Sequence, residues 1–81
     1  MSEKLPLLRF ACPPSEGYLL LSTYSGSQYW SLGYDEVDQV LYVRAGSVHT
    51  LNLFRDLLIR LYGDDVGGKA IHDNQNELGT A

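Results

Sequence analysis

This chain of 81 residues is poor in the residue types that most often carry chemistry: one cysteine, two histidines, one methionine and one tryptophan. With Cys12 alone, no intrachain disulfide can form, which makes a reducing, cytoplasmic setting the simpler expectation. Cys12 is followed by two prolines and has no histidine near it in sequence, the setting of a structural thiol rather than a nucleophile. His49 and His72 belong to no His-x-x-x-His, His-Glu-x-x-His or Cys/His cluster, so no metal framework is legible and no cofactor is expected. The serines include no Gly-x-Ser-x-Gly elbow. These gaps argue against an enzyme.

Positive charge is also scarce. Six basic against ten acidic side chains leave a net charge of −4, which disfavours sequence-independent attraction to nucleic acid or to an anionic membrane surface. No apolar run approaches the roughly 20 residues that cross a bilayer. The stretch from Leu5 to Cys12 superficially resembles a lipoprotein signal but is too short and is interrupted by Arg9. Residues 63–70 match the spacing of a phosphate-binding G-x-x-x-x-G-K loop. They end in Ala70 where a magnesium-binding hydroxyl belongs, follow a helix rather than a strand, and carry Asp64 and Asp65, which would repel phosphate.

What the chain does have is a hydrophobic fraction of 44% and six tyrosines, two phenylalanines and a tryptophan. That suits one small folded domain, near the size at which a single core barely suffices and an elaborate buried active site is not expected. Residues 5–11 read as a first strand, ended by the Cys12-Pro13-Pro14 loop. Gly26-Ser27 reads as a type II′ hairpin turn joining strands at 18–24 and 29–34, with Tyr24 opposite Tyr29 and Ser22 opposite Ser31. A further turn at Asp35-Glu36-Val37-Asp38 pairs Tyr34 with Gln39, Ser31 with Tyr42 and Tyr29 with Arg44.

Alternation in these strands sends Leu8, Phe10, Leu19, Leu21, Trp30, Leu32, Leu41 and Val43 to one face. After Ala45-Gly46 the period becomes helical, with Ser47 as N-cap, Leu51, Phe54, Leu57, Leu58, Leu61 and Tyr62 as the covering stripe, and Gly63 as the stop. The expectation is an α+β domain over residues 1–62, a four-stranded antiparallel meander under one C-terminal helix (ββββα). A polar tail rich in Gly, Asp and Asn follows at 63–81, mostly irregular, with a short docking turn near 69–73 as an option.

The opposite sheet face then gathers Tyr18, Tyr24, Tyr29, Ser31, Tyr42 and Arg44, beside Arg9 and Leu7. Tyrosine and arginine are enriched in recognition surfaces because they offer large contact area at low entropic cost with a polar tip. Tyrosines are also good strand formers, so cross-strand stabilisation alone could account for them. The expected function is a non-enzymatic protein-binding module that occludes a site on a larger protein. Small bacterial or phage-encoded inhibitor and immunity proteins use such an architecture, an analogy of fold alone. The alternative is a structural subunit that self-associates, as a homodimer for example, through the sheet face, an open edge or the helix flank around Leu53, Arg55 and Ile59.

Overall fold

The computed structural model describes residues 6–72. Six elements follow in order: β1 (Leu7–Ala11), α1 (Pro14–Tyr24), β2 (Trp30–Asp35), β3 (Val40–Ala45), α2 (Val48–Gly67) and β4 (Ile71–His72). The strands form one antiparallel sheet in the order β2-β3-β1-β4. Both helices supply side chains to the same core: Leu20 of α1 and Leu51, Phe54 and Leu58 of α2 pack with Leu8, Phe10, Leu41 and Val43 of the central strands. A βαββαβ succession with β1 and β3 at the centre is the split βαβ, or ferredoxin-like, arrangement.

The α+β class and the single antiparallel sheet are as expected, but the meander with one helix is not. Residues 18–24 form the C-terminal two-thirds of α1 rather than a strand, so none of their expected cross-strand pairs exists. Pro14 occupies the first helical position, where its fixed φ and missing N–H cost nothing, and Glu16 lies in the first turn. Gly17, Leu20, Leu21 and Tyr24 then recur at helical spacing toward the core. Gly17 is required by contact, because a Cβ there would lie 2.3 Å from the Tyr34 ring. The Gly26-Ser27 hairpin does not form. Those residues close the end of α1, Ser25 donating its N–H to the Leu21 carbonyl and Ser27 to that of Tyr24.

The β2–β3 hairpin is present, displaced by two residues from the expected register. Asp35 opposes Val40, Leu32 opposes Val43, and Ser31 opposes Arg44. The Asp35 carboxylate accepts from the N–H groups of Val37 and Asp38, and Gln39 takes φ +57°, which together set a four-residue connection. A two-residue slip preserves the facing of every side chain, so Leu32, Leu41 and Val43 still face the helices. β1 keeps its expected facing with different neighbours: it pairs with β3 and β4.

Ser47 caps α2, its hydroxyl accepting the Thr50 N–H at 3.2 Å. The main helix ends at Gly63 as expected, where φ +90° and ψ 167° lie outside the helical region in a state that favours glycine, and a second helical turn follows within the span of α2. Residues 64–67 then fold back so closely that a Cβ on Gly67 would lie 2.5 Å from the Ile59 nitrogen. This return delivers Ile71 and His72 to the edge of β1 as β4. The tail expected to be mostly irregular from residue 63, with a short docking turn near 69–73 as an option, is structured as far as His72 and docks at 71–72 as a strand rather than a turn; residues 73–81 lie outside the described residues. Arg55, named with Leu53 and Ile59 as a flank for self-association, donates to the Gly68 carbonyl at 2.9 Å.

Candidate functional site

The sheet has one covered and one open face. On the open face the ladder places Ser31 opposite Arg44 and Arg44 opposite Leu7. Beside that row, Gly33 opposes Tyr42 and Tyr42 opposes Arg9. Tyr42 is half-buried in the middle, while Ser31, Gly33 and Arg44 are exposed. The Arg44 side chain makes no hydrogen bond or ion pair among the described residues, although the chain carries an excess of carboxylates. Its guanidinium is free to take an acceptor that the described residues do not supply.

At the end of the hairpin where β2 begins, this face runs into a shallow depression of about 300 Å³ formed by Ser27, Gln28, Tyr29, Trp30, Ser31, Arg44, Ala45 and Gly46. Tyr29 is 65% exposed and stands beside Trp30, with ring centroids 6.3 Å apart. The Ser27 hydroxyl accepts the Tyr29 N–H at 3.0 Å and so orders the approach to β2. Trp30 points the other way, edge-on to Phe54 at 5.0 Å, and its indole N–H is buried without a partner. An unmade bond of that kind costs about 1–3 kcal/mol.

Four of the six residues singled out in the sequence are thus contiguous: Tyr29, Ser31 and Arg44 share the depression, and Tyr42 lies next to Arg44 along β3. Tyr18 and Tyr24 are not with them. Both ride on α1, in the layer on the opposite side of the sheet, because their segment is helical. Tyr18 packs edge-on to Tyr34 at 5.2 Å and donates to Glu36 at 2.9 Å; that bond, then burial, pushes its phenol up. Tyr24 packs edge-on to Phe54 at 5.7 Å, a core contact.

A second depression, of about 310 Å³, lies between α1 and the end of α2, lined by Glu16, Leu19, Leu20, Thr23, Tyr24, Leu61 and Tyr62. Leu19 and Leu61 are 56% and 52% exposed at this groove, so Leu61 does not cover the sheet as its place in the helical stripe implied. Tyr62 donates to Glu16 at 2.8 Å, and burial followed by that bond pushes its phenol up to about 12. Sequence reasoning did not find this groove. The signal was the proline pair followed by Ser15-Glu16, a helix start that would have set Leu19 beside Leu61 on neighbouring helices.

The cysteine and the two histidines lie at separate places in the fold. Cys12 is buried, with its thiol pushed up by burial and then by the Glu16 charge, and its carbonyl accepts the Tyr34 hydroxyl at 2.6 Å. His72 faces the core, with neither ring nitrogen hydrogen-bonded and its pKa lowered by burial and then by Arg55. His49 is exposed on the first turn of α2. Among the described residues no three His, Cys, Asp or Glu side chains are grouped as metal ligands, and no helix is long and apolar enough to cross a membrane. Comparison with protein-family models, curated proteins and solved structures finds no match. The functional reading therefore rests on this chain's own geometry.

Proposed function

We propose that this protein is a small non-enzymatic binding module that docks the open face of its sheet on a larger protein and acts by occluding the surface it covers. Arg44 carries the reading. It is an exposed guanidinium, unpaired among the described residues of a net-acidic chain, set between half-buried Tyr42 and exposed Tyr29. Aromatic and arginine side chains presented together on a rigid sheet offer contact area at little entropic cost, the pattern of residues that dominate binding energy in protein interfaces. Tyr29, Tyr42 and Arg44 are the anchors, with Ser31 at their rim. Tyr18 and Tyr24 have no part in this face.

The test is capture of a partner from native lysate by the full chain and by a Tyr29→Ala/Tyr42→Ala double variant. The expected outcome is loss of capture by the variant with its thermal melt nearly unchanged. Capture that persists in the variant refutes the reading, and a collapsed melt makes these tyrosines structural. Sedimentation that shows a concentration-dependent dimer disrupted by the same substitutions gives the face to self-association instead.

A further inference from the structure

The two edges of the sheet are unequal. β4 ends one side with two residues, whereas β2 ends the other with six, Trp30–Asp35. Among the described residues no backbone hydrogen bond reaches β2 from any element but β3, so its outer row of N–H and C=O groups is unpaired. Proteins usually blunt such an edge with proline, lysine, an inward charge or a bulge. The sequence Trp-Ser-Leu-Gly-Tyr-Asp has none of the first three within its span, only Asp35 at its end, and its ladder with β3 runs without a bulge. Unpaired main chain of this kind is complementary to one thing, another extended strand.

The open face beside this edge states what that strand should carry. Ser31 and Gly33, the β2 residues next to Arg44 and Tyr42, are small, and nothing stands within 4 Å of where a Gly33 Cβ would be. A strand added to β2 would lie two strand spacings from β3, about 10 Å. An extended arginine and an acidic side chain close that gap between them over the low ground at Ser31 and Gly33. Among the described residues the Arg44 side chain has no acceptor. A second copy is the poorer occupant, because both copies carry the same net charge of −4 and the carboxylate it would bring along β2, Asp35, is held in the hairpin turn through its Oδ1 by the Val37 and Asp38 N–H groups.

We infer that β2 receives an extended segment of the partner protein by strand addition, and that this segment places an aspartate or glutamate on Arg44. The inference rests on the proposed protein-binding role of the open face and specifies the partner's form and charge.

The probe is a library of random linear peptides of about twelve residues, long enough to overlay a strand of ordinary length, selected on the immobilised full chain. Enriched peptides should alternate apolar and polar residues and carry an acidic residue at a fixed place. Their amide shifts on the labelled protein should concentrate on Trp30–Asp35, and Arg44→Glu should weaken them at least about tenfold, with Arg44→Lys intermediate. No enrichment, equal binding by Arg44→Glu, or shifts centred on the α1–α2 groove overturns the inference. So does a β2 shift that follows protein concentration without peptide, since a second copy then takes the edge. If shifts gather on Tyr42 and Tyr29 while the β2 amides stay still, the edge assignment falls and the open-face reading stands.

Discussion

Along β3, Leu41, Val43 and Ala45 are buried, whereas the residues between and before them, Val40, Tyr42 and Arg44, face away from the helices. The same backbone thus serves two faces with opposite requirements. Beneath the helices every side chain is part of one close-packed cluster, and an unmade bond or a missing methylene is felt directly. On the open face the side chains are limited by the strand and by each other, so their identity is free to answer to a partner. The contrast is what supports the proposal that the open face binds a partner: stability is built on the other side.

This comparison breaks first at Phe54. It is fully buried and receives Trp30 and Tyr24 edge-on, so Phe54→Ala should cost about 3–5 kcal/mol in urea unfolding. A cost near that of a surface change would mean that the helices do not own the core.

A smaller, conditional loss is expected on acidification through His72, on the covered face opposite Leu8. Its folded pKa is lowered from 6.5 by burial and then by Arg55, so the unfolded chain binds the proton more readily. The contribution is fully present above about pH 6.5 and is lost as pH falls through that value toward the lower folded pKa. Between about pH 7.5 and about pH 5.5, wild type should lose more stability than His72→Leu; equal slopes would remove His72 from the covered face's energetics. The smallest effect belongs to the open face, where Arg44→Ala should change stability by no more than about 0.5 kcal/mol. A larger loss would show that the two faces are not separate in function.

The hairpin of β2 and β3 was legible because alternation and a turn-forming Asp35 point the same way, and its register error of two residues left each side chain on its proper face. The segment 18–24 was not, because three consecutive leucines satisfy a strand and a helix equally; the decision lies upstream, in Pro14 at the first helical turn and in Gly17 against Tyr34. For the candidate site, alternation alone was enough to bring Ser31, Tyr42 and Arg44 to one face. It misplaced Tyr18 and Tyr24 for the same reason that it misplaced their segment. The return of the chain as β4 had no signal in residues 71–72 by themselves. It depends on Gly63 turning the backbone and on Gly67 fitting against Ile59, contacts between positions that local pattern does not relate.

From its residues alone this chain determines an acidic α+β domain, a Leu/Phe/Trp face, a capped helix from Ser47 and the presence of only one cysteine and two histidines. Those are consequences of composition, period and turn chemistry, which act over a few residues. Only the tertiary structure decided which strands are neighbours and that, among the described residues, β2 is left as an edge and Arg44 stands beside it without an acceptor. Strand order and edge exposure arise from burying two helices on one face at once, a constraint that acts across the whole chain and leaves no local trace.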